Sequence, residues 1–598
     1  MASQKQESER IEHREDLSIY EWAANAVNKP LFVSQGTYLK QKKGRLLVAD
    51  PTPGDDGDED DTTPSPYSVD DAVALVLESI FYNVACNNLG PTLTSRYQYM
   101  FMFTITSAYQ WVSNSKIVSG TKDGWNWDLQ TPLSDKDIFV WMNHVMAYFM
   151  TAFTTVSSPP SFYPYGTVPG PAKIHNPAFD PTELLANERT VLNLTEAEQA
   201  KLWTRVQRRG NFAGWQTAWI AWYTARQADG YIAAQTPLTA AKAPNHYTDG
   251  SVQQTFIDVT VPSDISGSHF PNPKQWTELK MYSVTPTPSA LALKPYYCYT
   301  FSSVSSTCLS TMDCSNISGA TSAFFPSDAE REAEIADLVS LTASLTATQK
   351  MTAEFWAAGP FTISPPGMFL YLWRQVMTAT QFAKTRGLKS FFASGLSLAV
   401  NLFEMGRIVW GLKKQFMQAR PIQEVRRLYK GQTLTKWDGT DISGNSWVPY
   451  QSPVFVTPPF ADFPSGHSAY SQIFANTMTA WFGPAIPTAP AVTNTDLGLL
   501  SPTFLDPPQN FPPTFPLTSY VETQPILSFV LRQSSSEVQP GVPSVPITLS
   551  WSTWQEVANS AGMSRQYGGI HAVSAHVASQ SAANRTFAMV QSRWGFRP

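Results

Sequence analysis

The sequence is short of charge, short of cysteine and without a long uninterrupted apolar run. Only 15% of its 598 residues are Asp, Glu, Lys or Arg, against about a quarter in an ordinary globular chain. The net charge of -5 excludes a general attraction to nucleic acid or to an anionic membrane, so an anionic ligand would need local cations. Four cysteines in this length make no disulfide framework. Cys308 and Cys314 are near enough in sequence to pair in an oxidising compartment, and reduced thiols are the simpler expectation. Nothing reaches the run of about 20 apolar residues that a membrane span requires. Leu388–Trp410 comes nearest, and Lys389, Glu404 and Arg407 interrupt it. The N-terminal MASQKQESERIEHRED has no apolar core of the secretory-signal kind. The expectation is a soluble protein with no membrane partner, cytoplasmic by default.

What is abundant is apolar and aromatic side chain, 43% and 13% of the residues, enough for a large core. Forty-six prolines imply long ordered loops. The run Gly-Asp-Asp-Gly-Asp-Glu-Asp-Asp at 54–61 lacks calcium-loop spacing and reads as a solvated loop. From Ser68 the period becomes helical, with Val69, Ala72, Val73, Leu75, Val76, Ile80 and Phe81 forming a wide apolar face. Helices are expected over 95–112, 135–153 and 195–227, the last anchored by Trp203, Trp215, Trp219 and Trp222. Ser327-x-x-Glu330 is a capping box before the apolar face Ile335, Leu338, Val339 and Leu341. Further helices are expected over 348–357, 367–384, 387–419, 468–482 and 554–563, with a hairpin near 251–261 and a strand at 526–531. The fold class predicted is all-α: two packed helical bundles with long Pro-rich loops and minor β-hairpins. The division expected is an N-terminal extension (1–66), a first bundle with an irregular insertion (67–325) and a second bundle carrying the site (326–598).

Three clusters near the C-terminus carry chemistry: Lys413-x6-Arg420-Pro421, Pro464-Ser465-Gly466-His467 and Ser564-Arg565-x5-His571. Seven residues along a helix is about two turns, so Lys413 and Arg420 are expected on one face at a helix end that Pro421 closes. Gly466 lets a backbone N–H approach an anion at a helix start, where free N–H groups and partial positive charge collect. Gly568 and Gly569 break the helix between Arg565 and His571, so that both turn inwards. Singly, each cluster has a plainer reading: a basic helix terminus, a turn with an N-cap, a hydrogen-bonded core histidine such as His576. Together they describe a pocket for an oxyanion, in which arginine and lysine meet its charge and two histidines divide attachment from acid–base work.

These residues resemble the vanadium-dependent haloperoxidases and, more remotely, the type 2 phosphatidic-acid-phosphatase and bacterial acid phosphatase superfamily. All three parts of that pattern are complete, and Gly90-Pro-Thr-Leu-Thr-Ser-Arg96 and Ala353-Glu-Phe-Trp356 are similar to the haloperoxidase branch. The resemblance implies vanadate as cofactor, with His571 as the ligand to vanadium. Lys413, Arg420, Ser465, Gly466 and Arg565 would hold its oxygens, and His467 would take a proton from hydrogen peroxide. Lys413 and His571 would also share in catalysis. The partners implied are hydrogen peroxide, a halide and a small organic acceptor, and a homo-oligomer is compatible with the pattern. Trp410, three residues before Lys413, and Phe460, seven before His467, are similar to the halide pocket of chloroperoxidases and point towards chloride. The alternative is a phosphohydrolase using the same pocket through a phosphohistidine.

One departure stands out. In relatives an aspartate soon after the Ala-Glu-Phe-Trp stretch pairs with the last arginine, whereas here Ala357-Ala358-Gly359-Pro360 follows. Arg565 is therefore expected to use another carboxylate, Glu354 or Asp462, or none.

Overall fold

The computed structural model describes residues 68–596 apart from 87–89, 114, 118–131, 155–180, 236–237, 239–242, 246–255, 268, 283–290, 360–361, 454, 489–525, 532 and 537. The acidic run and the rest of the N-terminal extension lie outside the described residues. Of the described residues, 61% are helix and 7% strand, which is the all-α class expected.

The helices of the first half are α1 (Val69–Cys86), α2 (Pro91–Val112), α3 (Asp135–Thr154), α4 (Pro181–Val191), α5 (Glu196–Arg209), α6 (Phe212–Gln227) and the single turn α7 (Tyr231–Ala234). A small sheet follows, β1 (Phe256–Asp258), β2 (Glu278–Tyr282) and β3 (Leu291–Lys294), and then α8 (Thr311–Ser322). The second half holds α9 (Asp328–Ala343), α10 (Ala347–Phe355), α11 (Ser364–Ala379), α12 (Phe382–Phe416), α13 (Pro421–Leu428), α14 (Gly466–Phe482), α15 (Trp554–Tyr567) and α16 (Val573–Trp594). Two antiparallel hairpins interrupt it, β4 (Thr433–Thr435) with β5 (Asp441–Ser443) and β6 (Ser528–Leu531) with β7 (Ile547–Ser550).

The centre of the molecule is α12, nearly every residue of which is buried from Phe391 to Lys413. A helix apolar on all sides belongs inside a large core, and α12 packs against α2, α11, α14 and α16. Gly395 allows one of these approaches: a Cβ there would sit 2.8 Å from the Trp373 ring. Tyr99 of α2 stacks on Phe403 of α12 with centroids 5.3 Å apart. Phe103 stacks on Trp222 of α6 at 4.2 Å. One apolar cluster thus runs from Val69 to Phe596, and helices of both halves bury their faces against one another.

Local differences from the expected elements have local causes. The helix expected over 195–227 is two helices, because Gly210 packs beneath the Trp141 ring and Asn211 turns left-handed (φ 49°) to cap α6. Of the hairpin expected near 251–261, residues 251–255 lie outside the described residues, and Phe256–Asp258 form β1, which pairs in parallel with β2 about twenty residues on. The capping box at Ser327 is present, with the Ser327 N–H donating to Glu330 Oε2 at 2.8 Å. Cys308 and Cys314 stand as thiols. Among the described residues no helix is long and apolar enough to cross a membrane.

Candidate active site

The end of α12 differs from the sequence expectation. The helix stops at Phe416, Met417 takes a left-handed conformation (φ 47°), and Arg420 is the extended N-cap of α13 with Pro421 as its first residue. A residue before proline is driven out of the helical region, so Lys413 and Arg420 do not share a helix face. The bend nevertheless brings them to one segment, 460–462. Lys413 Nζ donates to the carbonyls of Ala461 (2.7 Å) and Asp462 (2.9 Å), and Arg420 Nε donates to that of Phe460 (2.6 Å). Both cations lie over the Phe460 ring, 5.1 and 4.9 Å from its centroid. Burial, and next the charge of Arg420, push the Lys413 ammonium well below its ordinary value. An oxyanion within reach would favour the charged form.

Two residues beyond Asp462 comes Pro464-Ser465-Gly466-His467. The helix α14 begins at Gly466, so His467 lies in its first turn rather than before it, and Ser465 is the N-cap, accepting from the Ser468 N–H. The Ser465 hydroxyl proton remains able to donate. His467 Nε2 lies 2.8 Å from the Trp356 carbonyl. A carbonyl only accepts, so Nε2 carries hydrogen and a neutral ring keeps its lone pair on Nδ1. Burial, then the charges of Arg565 and His571, push His467 well below the ordinary histidine range, which keeps it neutral at neutral pH.

The third cluster falls as the glycine pair predicts. Helix α15 ends at Tyr567, Gly569 takes φ +68°, and the chain turns so that Arg565 and His571 both line one cleft. Arg565 Nη2 donates to the Ala353 carbonyl (2.6 Å) and Nε to Ser564 Oγ (3.0 Å). Among the described residues it makes no ion pair, and neither candidate carboxylate reaches it. Glu354 accepts from Tyr450 Oη and from Ser536 Oγ instead. Asp462 accepts from His571 Nδ1 with one oxygen and from Arg331 Nη2 (2.7 Å) with the other. Against burial, which would raise it, Arg331 and His571 hold the Asp462 carboxyl well below the usual carboxylate range. Burial and the charge of Arg420 push His571 down to about 3, so the imidazole is neutral, the form that binds a metal. Its Nε2 accepts from Arg420 Nη1 at 3.2 Å.

The cleft encloses about 670 Å3 of empty space, part of it open to solvent. Gly466, His467, Arg565 and His571 line it together with Trp410 and Phe460, whose rings lie 5.0 Å apart. Lys413, Arg420 and Ser465 stand behind this wall, buried and linked to it through the contacts above. Tyr297 supports the aromatic pair: its carbonyl accepts from Trp410 Nε1 at 3.1 Å. Its ring packs so closely on Gly90, another lining residue, that a Cβ there would fall 2.3 Å from it. Arg96, at the end of the same stretch, is structural, paired with Asp229 at 3.0 Å and lying over Tyr231.

The donor set fits a tetrahedral oxyanion. Lys413, Arg420 and Arg565 gather round one imidazole whose carboxylate neighbour is already paired, leaving positive charge for a ligand to meet. Gly466 gives a second sign. A Cβ added there meets nothing nearer than Trp410 at 3.9 Å, so the chain's own packing does not require glycine, whereas a ligand held against that backbone would.

Of the alternatives left open for Arg565, the one found among the described residues is no carboxylate at all, and Arg331 was not foreseen. A signal was present: 331 precedes Ile335 by four and Leu338 by seven, which puts a charged residue on the apolar face of a capped helix.

Residues 393–594 match the family model of the VCPO second helical-bundle domain, and that span holds every predicted site residue. Among solved structures, a holo-type bacterial vanadium-dependent chloroperoxidase matches with a TM-score of 0.52 at 11% identity, over 85% of this chain and 93% of that one. An apo-type bacterial vanadium-dependent chloroperoxidase matches at 0.49 and 12%, over 84% and 95%. The first bacterial vanadium-dependent iodoperoxidase matches at 0.49 and 12%, over 89% and 98%. At such identity the likeness speaks for the fold, and only the first match is close enough to bear on it. No curated protein matches the sequence. Residues 393–594 thus form a helical bundle of the VCPO second-domain type, and the fold of the chain is like that of the holo-type bacterial vanadium-dependent chloroperoxidase.

Proposed function

We propose that the cleft holds vanadate on His571 and that the protein is a vanadate-dependent haloperoxidase. It would oxidise chloride or bromide with hydrogen peroxide to hypohalous acid or an equivalent species that halogenates a small organic acceptor. The observation that carries the reading is the neutral His571 imidazole set among Lys413, Arg420 and Arg565 beside the aromatic wall of Trp410 and Phe460.

Vanadate, when bound, would supply a Lewis acid that polarises peroxide towards halide without change of oxidation state. The chain would do the rest. His571 offers Nε2 as the protein ligand, and Arg420, Lys413 and Arg565 meet oxyanion charge with donors fixed by backbone carbonyls. Gly466 and Ser465 bring the start of α14, with its free N–H groups, against the same anion. His467, neutral and with its lone pair on Nδ1, takes a proton from hydrogen peroxide. Trp410 and Phe460 exclude water from the halide's approach, which strengthens every charge interaction in the cleft, and their pairing favours chloride.

Asp462 behind His571 is also the arrangement that orients a nucleophile, which keeps phosphohydrolase chemistry as the second reading. Protein reconstituted with orthovanadate should halogenate monochlorodimedone when given peroxide with chloride or bromide. Turnover of a phosphate ester by vanadate-free protein, abolished by vanadate and without any halogenation, would overturn the proposal in favour of the second reading.

A further inference from the structure

We propose that Asp462 is the positioning residue for His571 and that helix α9 braces the pair through Arg331 and Glu334. The proposal rests on His571 being the residue that receives the ligand. Nδ1 of His571 faces one oxygen of Asp462, whose other oxygen accepts from Arg331, and a carboxylate oxygen that accepts there requires Nδ1 to be the donor and Nε2 to bear the lone pair. Arg420, whose guanidinium only donates, meets that Nε2 at 3.2 Å. Two partners on opposite sides of the ring thus demand the same tautomer and aim Nε2 away from Asp462.

The second Asp462 oxygen is held by Arg331 Nη2 at 2.7 Å, and the same nitrogen donates to the carbonyl of Ala419 at 3.0 Å, next to Arg420. One turn further along α9, Glu334 accepts from the N–H (2.8 Å) and the hydroxyl (2.9 Å) of Ser574, three residues after His571. A single turn of α9 therefore grips the site at three places: the carboxylate behind the imidazole, the approach to Arg420, and the far side of the His571 loop. Arg331 is 5% exposed and Asp462 not at all, and the guanidinium meets Asp462 through Nη2 while its Nη1 lies 3.7 Å from Glu334 Oε2. From sequence Asp462 is a candidate partner of Arg565 only, and Arg331 carries no role. Partners that orient a ligating histidine alter metal affinity by about ten- to a hundredfold.

The test uses the full chain with 15N-labelled histidine, the His571 signals being identified by their loss in His571→Gln. In vanadate-free wild type, His571 should give a protonated Nδ1 and an unprotonated Nε2. In Asp462→Ala it should give a mixture or the opposite tautomer, with orthovanadate affinity measured by calorimetry about ten- to a hundredfold weaker. Asp462→Asn keeps an acceptor for Nδ1–H but loses the charge that Arg331 needs. It should keep the tautomer and lose several-fold in affinity, and it decides the matter if the alanine variant does not fold. Wild-type tautomer and affinity in the folded alanine variant, or unchanged affinity in the asparagine variant if only that one folds, would overturn the proposal. Failure of wild type to bind vanadate would count against the proposed function alone, and the tautomer comparison would still decide the role of Asp462.

Discussion

Gly466→Ala separates a ligand's requirement from the fold's. The added methyl meets only the edge of the Trp410 ring, at 3.9 Å, an ordinary contact distance. Gly466 is the first residue of α14 and is not among the glycines with positive φ, so alanine suits the backbone and trims the freedom of the unfolded chain. Replacements of this kind stabilise by about 0.4–1 kcal/mol, and the melting temperature should hold or rise slightly. Affinity should move the other way. The methyl stands off the anion from the start of α14, and loss of one hydrogen bond to a charged partner costs about 1.5–3 kcal/mol, or about ten- to a hundredfold in Kd. Calorimetric titration with orthovanadate, beside thermal unfolding of the ligand-free protein, measures both. Wild-type affinity in the variant would refute the placing of the anion against Gly466. A clear loss of stability would show that the protein itself, and no ligand, demands glycine there.

His467→Ala should abolish most turnover, by about 10²–10⁴-fold, while orthovanadate affinity stays within a few-fold of wild type; His571→Ala should lose the affinity itself. Equal effects of the two variants on binding would contradict their division of labour. Acid should destabilise the fold through His576, which bonds Ser468 Oγ at 2.8 Å and is pushed down to about 4 by burial. Its folded value lies below the unfolded one of about 6.5, so its contribution is complete above about pH 6.5 and is lost as pH falls towards 4. A depression of that size corresponds to about 3 kcal/mol. Denaturant titrations from pH 7 to 4 should show that slope, and His576→Gln should flatten it.

How much of this was legible in the sequence follows from distance along the chain. The clusters at 464–467 and 564–571 work through neighbouring residues: a helix start in one, a glycine break in the other. Their geometry could be read locally, and α14 and the turn at Gly569 deliver it. The Lys413–Arg420 spacing misled, because helical periodicity assumes an unbroken helix and the bend at Met417 with the proline at 421 ends it. What brings those cations together is the 460–462 backbone, which no spacing reveals. The partner of His571 lies 109 residues away, and that of Asp462 131 residues away, so only the packing of α9 against the site could show them. No aspartate follows closely after Trp356 in the sequence. The consequence, an arginine held by the Ala353 carbonyl and a serine hydroxyl, is set by folding rather than by composition.

The most direct test of the central claim is halide-dependent peroxidase activity of the purified protein before and after addition of one equivalent of orthovanadate. The account predicts no halogenation of monochlorodimedone without vanadate, and turnover with hydrogen peroxide and bromide or chloride once vanadate is bound. Vanadate bound in the cleft, with peroxide and halide present and no halogenation, would contradict it.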